Sequence, residues 1–162
     1  MQSYFSYSNT NAKGIVPTNE LNRHNVAFNQ TAKFFDNKLT LNANVNFINQ
    51  KVKNRPAGGL YFNPLTGLYL FPRGLDFDNY KDNYEVYSAD RNFNVQNWIA
   101  DRDIQQNPYW ILNRNLNKNV RNRGIASLSA KYMLTDWLSV QARGNMDRSF
   151  DRYTSDIYAT TQ

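Results

Sequence analysis

The sequence contains no cysteine and only one histidine, His24. Without cysteine there is no disulfide and no thiolate metal site. A single histidine excludes a multi-histidine metal centre and gives no support for a histidine-based triad. No apolar run approaches the roughly 20 residues that a membrane helix needs. A glycine-rich phosphate loop is also missing, as are RNA-recognition, zinc-finger and helix-turn-helix patterns. The net charge of +6 and the 15% aromatic content therefore do not point to nucleic acid. Asp76, Asp78 and Asp82 lack the glycine and terminal glutamate of an EF-hand, and nothing marks Asp101 or Asp103 as catalytic. The expectation is a protein without catalytic residues, cofactor or metal, and not an enzyme.

What the chain has instead is alternation. Leu39, Leu41, Ala43, Val45 and Phe47 share one face of a strand, while Thr40, Asn42, Asn44 and Asn46 share the other. Val26, Phe28, Gln30, Ala32 and Phe34 repeat the pattern before it. Ala126, Leu128, Ala130, Tyr132 and Leu134 repeat it later, followed by Leu138, Val140, Ala142, Gly144 and Met146. A tilted strand needs about 9–11 residues to cross the hydrocarbon of a bilayer. Lipid would then meet Leu39, Leu41, Val45, Phe47, Leu128, Leu138 and Val140. Asparagine is a poor strand former, because its amide competes for backbone hydrogen bonds. Its recurrence at Asn25, Asn29, Asn42, Asn44, Asn46 and Asn145 suits a wet lumen. A soluble antiparallel sheet with one solvated face shows the same alternation, so that reading stays open on alternation alone.

Turn chemistry sets the register. With Asp36-Asn37 as a two-residue turn, Phe34 faces Leu39, Ala32 faces Leu41 and Phe28 faces Val45, so like faces pair. The second hairpin needs the three-residue connection Thr135-Asp136-Trp137, which sets Leu134 opposite Leu138. Phe34, Phe35 and Trp137 then form an aromatic girdle at the short-turn end. The fold class expected is all-β: an antiparallel transmembrane β-barrel segment of about five strands, near residues 3–8, 24–35, 38–50, 123–134 and 138–150. Residues 9–21 and 54–121 are read as long extracellular loops, with another beginning at residue 151. Five strands are fewer than the roughly eight of the smallest single-chain bacterial barrels, and Met1-Gln2-Ser3-Tyr4 opens without a signal peptide. The expectation is an internal fragment of a larger protein.

Pro56, Pro64, Gly67, Pro72 and Gly74 punctuate the loop at 54–121, and aromatic residues lie between them. Flat rings beside Arg, Asn and Asp suit sugar or peptide ligands, and Arg73, Trp98, Tyr109 and Trp110 are the candidate contacts. The alternative is that these rings pack the loop into a lid. Lys51, Lys53, Arg55, Arg114, Lys118, Arg121 and Arg123 cluster at the loop stems, where anionic lipopolysaccharide is a candidate partner.

Several short blocks carry a family resemblance. They are Tyr4-Phe5-Ser6-Tyr7-Ser8-Asn9-Thr10-Asn11-Ala12-Lys13-Gly14-Ile15-Val16-Pro17, Glu20-Leu21-Asn22-Arg23-His24-Asn25, Asn63-Pro64-Leu65-Thr66-Gly67-Leu68-Tyr69-Leu70-Phe71-Pro72-Arg73-Gly74, Asn107-Pro108-Tyr109-Trp110 and Asp136-Trp137-Leu138. In this order they resemble the middle of SusC/RagA-type TonB-linked outer-membrane proteins of Bacteroidetes. The resemblance implies a plugged barrel of about 22 strands that imports oligosaccharides or peptides. It also implies TonB and a SusD-like surface lipoprotein as partners, and the bacterial outer membrane as location. A TonB box, plug and barrel closure are missing from the chain, so import is expected of the full-length protein only. A soluble or secreted β-rich glycan-binding module is the alternative function.

Overall fold

Among the described residues, seven strands and three short helices form in the order β1 (Gln2–Lys13), β2 (Glu20–Phe34), β3 (Leu39–Lys53), α1 (Pro64–Tyr69), α2 (Phe77–Asp82), β4 (Glu85–Ser88), β5 (Phe93–Gln96), α3 (Pro108–Arg114), β6 (Asn115–Met133) and β7 (Ser139–Ile157). The computed structural model describes residues 1–100 and 102–161; Asp101 lies outside the described residues. The fold is all-β and mostly antiparallel. A five-stranded sheet has the order β1-β2-β3-β6-β7, and β4 and β5 form a second, two-stranded sheet. The larger sheet is not closed into a barrel. Among the described residues no helix is long and apolar enough to cross a membrane.

The first hairpin closes through Lys38 N donating to Phe35 O at 2.9 Å. Asp36 and Asn37 have φ of 50° and 70°, the left-handed pair that a tight two-residue hairpin turn requires. Thr31 Oγ1 bonds Asn42 Oδ1 at 2.9 Å, and the amides of Asn29 and Asn44 bond each other. Both pairs are direct cross-strand partners when Phe34 faces Leu39, the register expected from the turn. In the second hairpin Leu134 N donates to Leu138 O at 2.9 Å across Thr135-Asp136-Trp137, the three-residue connection that like-face pairing demands. The two hairpins join through β3 and β6. Met133 N donates to Lys38 O at 2.9 Å, and Asn42 Nδ2 reaches Ser129 Oγ at 3.4 Å. Asn49 Nδ2 reaches Asn122 Oδ1 at 2.6 Å, and Asn54 N donates to Asn117 O at 2.7 Å. Partner numbers fall as strand numbers rise, so this ladder is antiparallel too.

Strands outrun the alternating pattern. The supposed loop at 9–21 shrinks to a connection at 14–19, closed by Gly14 N donating to Asn19 O at 2.9 Å. β6 begins at Asn115 rather than near 123, and β7 continues to Ile157 rather than stopping near 150. These extensions are mostly polar, with isolated apolar residues such as Leu116, Val120 and Tyr153, so their period-2 signal is too sparse to read. Side-chain pairs line them instead, among them Asn22–Asn11 at 2.5 Å and Arg121–Asp151 at 2.6 Å. The region from 54 to 114 holds α1 to α3 and the β4-β5 hairpin.

The chain divides into two compact units. One comprises Met1–Ala12, Leu21–Lys51 and Val120–Arg152; the other comprises Lys13–Glu20, Val52–Asn119 and Tyr153–Gln162. Among the described residues the buried apolar side chains are Pro64 on α1 and Pro108, Trp110, Ile111 and Leu112 on α3, all in the second unit. The sheet unit contributes only Ser129 to the buried set.

Candidate functional site

In the sheet unit, the registers above align the apolar faces of both hairpins on one side. Val45 is 48% exposed, Leu128 61% and Val140 57%. Phe47 and Leu138 are exposed as well, while Leu39 and Leu41 are half-buried. A shallow hollow on this side is lined by Ala43, Val45, Ala126, Leu128, Gly144 and Met146. The other face is polar and knit together. Thr31, Asn42 and Ser129 form a chain of hydrogen bonds, and Arg123 forks onto Asp147 with Nε 2.9 Å from Oδ1. At the turn end, Trp137 is 84% exposed, with Phe34 and Phe35 also exposed. No described residue covers the apolar side chains on this side of the sheet.

In the second unit, Asn107 organises the insertion. It is fully buried at the N-cap of α3, where its Oδ1 accepts from Tyr109 N at 2.9 Å. Its Nδ2 donates to Tyr80 O and to Asn97 O, both at 2.8 Å, and its backbone N donates to Gln96 Oε1 at 3.1 Å. Pro108 follows at the first helical position, where its missing N–H costs nothing. Asn63-Pro64 repeats this device at α1, with Leu65 N donating to Asn63 Oδ1 at 3.0 Å. A Cβ at Gly67 would lie 2.1 Å from Gln106 O, so only glycine allows α1 this approach to the residues before α3.

The four candidate contact residues have separate fates. Trp110 is fully buried; its Nε1 donates to Thr161 Oγ1 at 3.0 Å and its ring meets Tyr158 edge-on at 5.4 Å. It packs the unit. Trp98 is half-buried, 5.3 Å from the Phe71 ring and 5.5 Å from Tyr80. Tyr109 joins the same cluster through Phe77 at 6.1 Å. Arg73 is exposed. The rings therefore form a packed aromatic cluster with partly open faces.

The basic stems are largely neutralised from within. Lys53 pairs with Glu20 at 3.2 Å, Arg121 with Asp151 and Arg123 with Asp147. Arg114 Nε donates to Glu85 Oε2 at 2.8 Å, and its guanidinium lies 4.9 Å over the Tyr158 ring. The Glu85 hydrogen bond holds the Arg114 pKa above its ordinary value. Arg55 and Lys118 have no acidic partner among the described residues. Asp76 caps α2 by accepting from Asp78 N at 3.0 Å, and Asp78 faces Lys81 at 3.8 Å. Among the described residues no group of three or more His, Cys, Asp or Glu is placed to hold a metal ion.

A cleft in this unit escapes sequence reading. Arg55, Phe62, Ile111, Leu112, Asn115 and Tyr153 line it, and they come from four separate stretches of chain. Comparison with protein-family models gives no match, and comparison with curated proteins gives none either.

Proposed function

We propose that the chain is part of the wall and extracellular surface of a SusC-like, TonB-dependent outer-membrane importer of oligosaccharides or peptides. The exposed apolar face on one side of the sheet carries this reading. From Leu39 to Phe47 it runs nine residues, within the roughly 9–11 residues that a tilted strand needs to cross the hydrocarbon of a bilayer. Lipid is the solvent that favours such a face, and the bonded amides and ion pairs opposite suit a water-filled lumen. The aromatic residues at the tight turns fit an interfacial girdle. TonB, a SusD-like lipoprotein and outer-membrane lipid are the partners this reading entails, by the resemblance of the sequence blocks. The mechanism is transport: binding at the outer surface, then passage through the lumen.

Val45→Arg tests the reading in the full-length protein. A charge at the bilayer midplane is expected to cost about 2–4 kcal/mol and to abolish outer-membrane assembly, read as loss of the folded, heat-modifiable band. Normal assembly would mean that Val45 does not face lipid, and a soluble glycan-binding sheet would become the better account.

A further inference from the structure

The cleft in the second unit is built to be rigid. Asn54 adopts a left-handed backbone, φ 49°, and its Nδ2 donates to Thr18 O at 3.3 Å. Asn117 N donates to Asn54 Oδ1 at 3.2 Å. The Asn117 side chain then grips Arg55 twice: Oδ1 accepts from Arg55 N at 2.9 Å, and Nδ2 donates to Arg55 O at 3.0 Å. The backbone of Arg55 is thereby fixed at the cleft while its guanidinium has no acidic partner among the described residues. Asn115, also on the lining, accepts from Thr161 Oγ1 at 2.9 Å, and its Nδ2 is buried with no hydrogen-bond partner among the described residues. Pro56, Phe62, Ile111, Leu112 and Ile157 give the walls their apolar area, and the hydroxyl-bearing Tyr153 and Ser155 stand beside them.

Two chemical facts select the ligand. The amide groups of Asn54 and Asn117 are already committed to backbone partners, so the groups left over are the Arg55 guanidinium, the Asn115 amide N–H and the hydroxyls of Tyr153 and Ser155, every one of which can donate to a carboxylate. A sugar presents hydroxyls that donate as well as accept, whereas a carboxylate only accepts and matches the fork of an arginine. We infer that this cleft binds the free C-terminal carboxylate of a short peptide, with an apolar last side chain against Phe62 and Tyr153. As a choice of substrate class the inference rests on the importer reading, and it favours peptides over oligosaccharides.

The test uses the full chain in detergent micelles, titrated by calorimetry with N-acetyl-Ala-Leu-Phe as the free acid and as its C-terminal amide. The acid is expected to bind about tenfold more tightly than the amide, and Arg55→Gln to abolish that preference. Asn115→Leu is expected to weaken the acid without removing its preference over the amide. Equal binding of acid and amide, no binding of either, or an intact preference in Arg55→Gln would overturn the inference. Binding of maltohexaose in place of the peptide, lost on Arg55→Gln, would overturn it in favour of a sugar site. Outer-membrane assembly of the full-length protein, with and without Val45→Arg, is measured separately. Assembly lost in that variant without peptide binding removes the cleft assignment alone, and peptide binding with normal assembly of the variant removes the importer reading alone.

Discussion

Asn107 and Trp110 lie three residues apart and illustrate how one short block can hold two kinds of information. Asn-Pro is a helix-start signal, because the amide caps free N–H groups and proline has none to cap. That device is local, yet the prolines of this region read as punctuation of a loop. The two further bonds from Asn107 Nδ2, to Tyr80 O and Asn97 O, depend on chain brought from elsewhere, and no spacing rule announces them. Asn107→Ala would leave both carbonyls and the Tyr109 N–H without this partner in a buried setting. A loss of about 2–4 kcal/mol is expected, measured as a shift in the urea midpoint of the second unit followed by tryptophan fluorescence. A change below 0.5 kcal/mol, to take a rough threshold, would mean that water replaces the amide. Trp110 carries the opposite lesson. An aromatic beside Arg and Asn in a loop reads as a ligand platform, yet Tyr158 and Thr161 enclose it.

At the scale of the element, turn and strand follow different rules of legibility. Asp36-Asn37 prescribes the first hairpin because both residues tolerate left-handed backbone, which most side chains resist. Asn37→Val is expected to destabilise the hairpin by about 1–2 kcal/mol, while Asn37→Gly stays near neutral. Hydrogen exchange of the Lys38 amide, which donates to Phe35 O, reports both; equal protection in the two variants would refute the turn assignment. Strand centres were equally readable, since alternation is a property of the pleat itself. Strand ends were not. From Asn115 to Asn122 the residues are almost all polar, and only pairing with β3 and β7 makes them strand. Likewise Asn9, Thr10 and Asn11 look like loop until Asn11 meets Asn22.

Across the whole molecule the decisive asymmetry is where apolar side chains find cover. In the second unit Trp110, Ile111 and Leu112 find cover on α3, whereas Val45, Leu128 and Val140 on one face of the sheet stay open. A depth profile follows from the proposed lipid face. With Trp98 and Trp110 replaced by phenylalanine, Trp137 is expected to be quenched best by lipids brominated near the headgroup. A tryptophan placed at Val45, with Trp137 also replaced by phenylalanine, is expected to be quenched best by bromine deep in the acyl chain. Equal, weak quenching at both positions would argue that neither meets lipid.

The sequence by itself determined the two faces of each strand and the tight turns with their registers. Each of these follows from backbone geometry acting over a few residues. Tertiary structure alone decided that β3 pairs with β6, that Trp110 is enclosed, and that Arg55 stands at a cleft without an acidic partner. Those outcomes depend on pairings such as Asn54 with Asn117, 63 residues apart. No local period or propensity encodes such a contact, because which distant groups meet is settled only when every strand competes for the same partners.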